Sequence, residues 1–168
     1  MNGKGNGTFD PDAIATRAEF SQILYNKAGK PAVDLSSIMY GDVDANAWYA
    51  SAVMWTRYSE ISAGYLNGCF GCNDPIQREQ IAMMLYKYAM LKGLDVTVTT
   101  DKISQYADSN EISGWARGAM EWAIDRGIMS GKGAPDDPIS SYRLDPRGGA
   151  TRAECASVIK NFVEKLEE

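Results

Sequence analysis

The sequence predicts an all-α fold built from tandem helical repeats. Three observations predict it. A short arginine motif occurs three times, as Thr16-Arg17-Ala18-Glu19, Gln77-Arg78-Glu79-Gln80 and Thr151-Arg152-Ala153-Glu154. Each copy opens a run of apolar residues spaced three and four apart, which places one apolar stripe on each of three helices. A second, tryptophan-bearing unit occurs twice, and 67 positions separate Trp48 from Trp115, Ala52 from Ala119, Trp55 from Trp122 and Gly64 from Gly131. Ordered motifs recurring in register mark internal repeats.

The first helix is expected from about Thr16 to Ala28, ending near Gly29 with Pro31 beyond it. Its stripe is Phe20, Ile23, Leu24 and Ala28. The stripes of the other two copies are Ile81, Met84, Leu85, Tyr88 and Ala89, and Cys155, Val158, Ile159, Phe162, Val163 and Leu166. Thr16 with Glu19 and Thr151 with Glu154 fit a capping box, in which the hydroxyl and the carboxylate satisfy each other's backbone N–H. Gln77 is a poor cap, and Asp74 with Pro75 offers an alternative start to the second helix. Capping explains the Thr and the Glu. It leaves the arginine unexplained, because a cation at a helix N-terminus is mildly unfavourable. An anion to hold, or a carboxylate elsewhere in the fold, would account for it.

The first tryptophan unit runs from Asp42 through Trp48, Ala52 and Trp55 to Gly64, and the second from Asp108 through Trp115, Ala119 and Trp122 to Gly131. Trp48, Ala52 and Trp55 are expected on one helix face. A Gly-rich loop and then an arginine motif follow each unit. The repeat is therefore a tryptophan helix, a glycine loop and an arginine helix. On this reading residues 1–32 are the C-terminal half of a first repeat, 33–95 the second and 96–168 the third. The run Gly3 to Gly7 opens the chain inside such a glycine loop and lacks the Gly-Lys-Ser/Thr of a phosphate-binding loop. Asp95 to Thr100 reads as linker, and the third repeat carries extra loop residues around Ala134 to Tyr142.

Composition narrows the function classes. The 168 residues, 45% of them hydrophobic, suffice for a sizeable core. A net charge of −5 disfavours broad attraction to nucleic acid or to an anionic membrane. No apolar run is long enough to span a bilayer, and no secretory leader pattern follows Met1. There is no histidine, which removes the commonest general base and zinc ligand, and no cofactor or metal is expected. Cys155 falls on an apolar stripe and reads as buried. Cys69-Phe70-Gly71-Cys72 reads as a local disulfide in an extracellular setting, or as two loop thiols. Among local carboxylate pairs, Asp42 with Asp44 and Asp136 with Asp137 could suggest a glycosidase. The second pair, ahead of Pro138, fits turn chemistry better, and the chain is read as non-enzymatic.

The two Asp–Trp units, the Gly7-Thr8-Phe9-Asp10-Pro11 loop and the three arginine motifs together resemble the S-layer homology family, over nearly the whole chain. The resemblance implies a pseudo-threefold spindle of three modules with ligand grooves between neighbours. It implies a non-catalytic, extracellular module anchoring to the cell wall through an anionic secondary polysaccharide, often pyruvylated. It places Arg17, Arg78 and Arg152 in the grooves, where a guanidinium fork suits a carboxylate. Trp48 and Trp115 would offer a flat face to a sugar ring, although core positions suit them equally, whereas Trp55 and Trp122 read as core. Asp42 and Asp108 would bind sugar hydroxyls, hold the groove backbone or cap the following helices. Gly64 and Gly131 would let the main chain approach the glycan. If each groove joins an arginine to the tryptophan of the following repeat, the pairs are Arg17 with Trp48 and Arg78 with Trp115. Gln77 departs from the family Thr, and Cys69 and Cys72 stand where Thr and Pro are usual. The absent first tryptophan helix suggests a homodimer or a fragment of a larger surface protein. A structural or protein-interaction module without glycan affinity is the alternative.

Overall fold

Five α-helices dominate the computed structural model, which describes residues 8–167: α1 (Arg17–Lys27), α2 (Ala50–Tyr58), α3 (Arg78–Leu91), α4 (Arg117–Asp125) and α5 (Arg152–Leu166). Short 3-10 turns at Ile103–Gln105, Ser109–Glu111 and Ile139–Ser141 complete the helical structure of these residues. The remaining regular pairing consists of isolated β-bridges. The chain is thus helical, as its periodicity predicts. The glycine run from Gly3 to Gly7 lies outside the described residues.

The three arginine helices begin alike. Thr16 and Thr151 make complete capping boxes with Glu19 and Glu154. α3 also starts at its arginine, with Gln77 and Gln80 in the same reciprocal arrangement, so Asp74 is not its cap. An amide at the cap and an amide three residues on can make the same two contacts, without charge. The residues just before these helices are extended and meet in a ring. Ala15 N–H donates to Ala150 O, Ala150 N–H to Ile76 O and Ile76 N–H to Ala15 O, each at 2.9 Å. All three residues are buried, so their polar backbone needs partners, and each segment supplies them to the next.

The ring sets where the helices point. Each arginine helix turns its stripe inward: Phe20 and Leu24 from α1, Ile81, Leu85 and Tyr88 from α3, and Cys155, Val158 and Phe162 from α5 are buried. α1 packs against α2, and α3 against α4. A chain of aromatic contacts ties the layers together. Trp55 of α2 lies between Tyr25 and Tyr88, at 5.8 and 6.2 Å, and Phe162 of α5 lies between Tyr88 and Trp122, at 5.9 and 6.3 Å. Trp55 and Trp122 are therefore core residues, as their register suggests. Trp48 is not on the α2 face with them. α2 begins two residues later, after a turn in which Ala47 N–H donates to Asp44 O at 2.9 Å, and Trp48 is 64% exposed. Trp115 likewise precedes α4 and is 54% exposed.

The linker from Asp95 to Thr100 is irregular yet fastened. Asp125 at the end of α4 accepts from the N–H and hydroxyl of Thr99 and from the hydroxyl of Thr100, and Trp122 Nε1 donates to Asp95 O at 3.2 Å. The loop around Ala134 to Tyr142 is exposed and closed by Tyr142 Oη donating to Ala134 O at 2.6 Å.

Candidate functional site

The repeated arginines are buried and each reaches into a loop distant in sequence. Nε of Arg17 donates to Phe70 O at 2.9 Å, Nε of Arg78 to Leu144 O at 2.7 Å, and Nε of Arg152 to Phe9 O at 3.0 Å. A cation at these helix starts thus has a structural role: it anchors a loop carbonyl that the helix backbone cannot reach. The rest of each guanidinium differs. Arg152 Nη1 meets Glu19 Oε1 at 3.0 Å, and Arg78 Nη1 lies 3.6 Å from Glu154 Oε1. Arg17 makes no ion pair among the described residues. Its guanidinium lies between the rings of Tyr65 and Phe70, at 4.7 and 4.8 Å from their centroids, and its Nη2 reaches Ser62 Oγ at 3.4 Å. Burial pushes its pKa down, with Tyr65 and Asp74 pulling the other way.

Arg17 faces a cleft of about 510 Å³. The walls are the 61–66 loop, one face of α3 (Gln80, Met83, Met84, Lys87) and Trp115. The α3 residues recur at 80, 83, 84 and 87, the spacing of one helix face. The lining holds two cations, Arg17 and Lys87, and no carboxylate. Tyr65 and Trp115 supply aromatic surface. Such a cleft can hold an acidic group against the guanidinium while a ring of moderate polarity lies on the aromatics.

Three of the nine expected site residues, Arg17, Trp115 and Gly64, line this cleft. Arg17 is therefore joined to Trp115, not to Trp48, and the expected pairing of each arginine with the next tryptophan is corrected. The physical reason is the ring at the helix starts, which sets α1 beside the α2–α3 loop, while the turn before α4 brings Trp115 to the cleft. Arg78 and Arg152 each face a carboxylate of this chain, and Trp48 is exposed without lining the cleft.

The two aspartates brace loops. Asp42 accepts the N–H groups of Phe70, Gly71 and Cys72 at 2.6, 2.8 and 3.1 Å. Asp108 is fully buried and accepts those of Leu144 and Asp145 at 2.7 and 2.8 Å. Of the roles open to them, holding the backbone is the one adopted, and neither caps α2 or α4. The braced carbonyls, Phe70 and Leu144, are those that receive the arginines.

The glycines serve side-chain packing. A Cβ on Gly64, whose φ is +72°, would stand 2.5 Å from Tyr40 Cε1, and one on Gly131 2.4 Å from Tyr106 Cε1. Cys69, Cys72 and Cys155 are free thiols, so of the two readings open for Cys69 and Cys72 the pair of loop thiols is the one adopted. Sequence reasoning missed Tyr65, Gln80, Met83, Met84 and Lys87. The one available signal was Gln80, the amide standing where the other two motifs carry Glu. No group of three or more potential metal ligands is assembled among the described residues, and no helix is long and apolar enough to cross a membrane.

A family model of the S-layer homology domain matches residues 1–21, 40–82 and 105–140. The chain belongs to the S-layer homology domain family. Its relatives include the surface-layer 125 kDa protein of Lysinibacillus sphaericus, 27% identical over 99% of this chain and 13% of that protein. The cellulosome-anchoring protein of Acetivibrio thermocellus is 30% identical over 98% of this chain and 35% of its own length. An amylopullulanase of Thermoanaerobacterium thermosulfurigenes is also 30% identical over 98% of this chain, which covers 8% of that enzyme. The chain thus spans a minor part of each of these curated relatives. An undecaheme cytochrome from the S-layer of Carboxydothermus ferrireducens superposes with a TM-score of 0.46 at 23% identity, over 90% of this chain and 22% of that one. The S-layer homology match stops within the exposed 134–142 loop and leaves α5 outside it, although α5 begins with the third arginine motif.

Proposed function

We propose that this S-layer homology chain is a non-catalytic anchoring module that works outside the cell, at the wall, by holding an anionic cell-wall polysaccharide in the Arg17 cleft. The observation that carries the proposal is the pairing state of Arg17. A buried guanidinium with no ion pair among the described residues, in a cleft lined by a second cation and two exposed aromatics, has room for a charge complement from outside the protein. A pyruvate ketal on a sugar supplies a carboxylate beside a ring, which suits the arginine and Trp115 together. The relatives support the setting, since one is a surface-layer protein and another a cellulosome-anchoring protein. The hydrogen-bond ring of Ala15, Ile76 and Ala150 supports a pseudo-threefold spindle, with repeats at 1–32, 33–95 and 96–168. The cleft then takes Arg17 from the first, its loop and α3 from the second, and Trp115 from the third.

The test is a titration against purified wall polymer, intact and stripped of its pyruvate groups. Arg17→Ala is expected to weaken binding to intact polymer about tenfold or more, the loss of a charge-assisted hydrogen bond of roughly 1.5–3 kcal/mol. Stripping the polymer is expected to do the same to the wild type. Equal binding by wild type and variant overturns the proposal. A second reading, a structural or protein-interaction module, is favoured by the internal carboxylate contacts of Arg78 and Arg152. Capture of a protein partner with no affinity for wall polymer would select it.

A further inference from the structure

The fourth residue of each arginine motif performs two tasks at once. With one oxygen it closes its own helix cap: Glu19 Oε2 accepts from Thr16 N–H at 2.8 Å, Glu154 Oε2 from Thr151 N–H at 2.8 Å, and Gln80 Oε1 from Gln77 N–H at 3.2 Å. In the two glutamates the other oxygen faces the arginine of a neighbouring repeat. From Glu19 that atom is an oxygen 3.0 Å from Arg152 Nη1. From Glu154 it is an oxygen 3.6 Å from Arg78 Nη1 and 3.2 Å from Lys132 Nζ. Gln80, at the equivalent place, lines the cleft with Arg17; there the second terminal atom is an uncharged amide nitrogen, and the side chain bonds that of Tyr65.

We infer that Gln80 is the residue that decides which arginine is available to an acidic ligand. This rests on the reading of the Arg17 cleft as the glycan site. Two of the three equivalent arginines already face a carboxylate of the chain itself, held in place by the capping box. That carboxylate stands where a ligand carboxylate would have to stand, and it is always present at a high effective concentration. An outside acid must displace it to reach Arg78 or Arg152. At Arg17 the competitor is replaced by an amide that keeps the cap and carries no charge. The side chain changes by one atom, and the cleft changes from self-neutralised to cationic. Lys87, one helical turn pair away on the same face of α3, then adds to the field at the acid.

Position 80 is therefore a specificity determinant for charge. Q80E installs the internal competitor and is expected to fold, since Glu at this place caps α1 and α5. Q80M removes the amide without adding charge. The probes are a synthetic 4,6-pyruvate-ketal hexoside and its methyl ester, titrated by calorimetry into the full chain, with thermal melts to verify folding. For the acid, Q80E is expected to bind at least tenfold more weakly than Q80M, on the order of one charged hydrogen bond. For the ester the two variants are expected to agree within about threefold. If Q80E binds the acid as well as Q80M does while Arg17→Ala is weakened, the role of Gln80 is overturned and the Arg17 reading stands. If Q80E and Q80M lose acid binding equally, the amide is itself the ligand contact, and charge selection is overturned. If the wild type does not bind the acid, or Arg17→Ala binds equally well, both readings fall.

Discussion

Replacing Asp42 by Asn tests whether one carboxylate holds the loop that faces Arg17. The carboxylate accepts three consecutive backbone N–H groups, at 2.6 to 3.1 Å, from Phe70, Gly71 and Cys72. An amide of the same shape retains one acceptor and turns an NH2 group toward donors. At least one of the three contacts is lost and set donor against donor. Hydrogen bonds to a charged group contribute roughly 1.5–3 kcal/mol each, and three bonds sharing one anion add less than their sum. A loss of about 2–4 kcal/mol follows. In a domain of this size each kcal/mol shifts the melting temperature by roughly 2–4 °C, so Asp42→Asn is expected to melt about 5–15 °C lower. Calorimetry and urea titration both read this. Asp44→Asn is the control: Asp44 is exposed, as Asp42 is, but among the described residues its carboxylate bonds only Asn46, so its midpoint is expected to stay within about 0.5 kcal/mol of wild type. A melting temperature for Asp42→Asn within about 2 °C of wild type would refute the brace. The binding titration adds a second reading, because a loosened Phe70 carbonyl leaves the Arg17 guanidinium less well placed.

The same carboxylates give the protein an acid limit. Burial pushes the Asp42 carboxyl up, but the N–H groups of Phe70, Cys72 and Gly71 outweigh it and hold it below the usual range. Hydrogen bonds, first from the Thr100 hydroxyl and then from Thr99, hold Asp125 lower still. A depressed folded-state pKa contributes stability that is complete above the unfolded value, about 3.9, and is lost as pH falls below it. Urea midpoints are expected to fall below about pH 4 in the wild type and to fall less steeply in the Asp42→Asn, Asp125→Asn double variant. Trp122→Ala is expected to cost roughly 3–5 kcal/mol, since the ring is fully buried against Tyr86 and Phe162. Trp115→Ala, at an exposed ring, is expected to leave the urea midpoint nearly unchanged and to weaken polymer binding. Thiol reagents are expected to reach partly exposed Cys69 first. Burial pushes the Cys72 thiol up to about 11 and the Cys155 thiol up to about 12, so Cys155 is expected to react only on unfolding.

Local chemistry made much of this protein legible from its residues alone. Three capped helices with inward stripes follow from side-chain periodicity and from the Thr–Glu reciprocity, both of which act within a few residues of chain. The 67-residue spacing marks Trp55 and Trp122 as equivalent, and both are core. The three arginines, equally placed, read as equal candidates. Their inequality depends on residues far along the chain: Glu19 pairs with Arg152 and Glu154 with Arg78, whereas Arg17 meets Ser62 and shares its cleft with Gln80. Motif spacing carries no information about which of these faces which, because the ring at the helix starts makes that assignment through space. The turn before α4 brings Trp115, rather than Trp48, to the Arg17 cleft, and Asp42 and Asp108 turn onto loop backbone. Helix starts and core faces are decided by neighbours in sequence, whereas a free charge and the walls around it are decided by whatever the completed fold sets beside them.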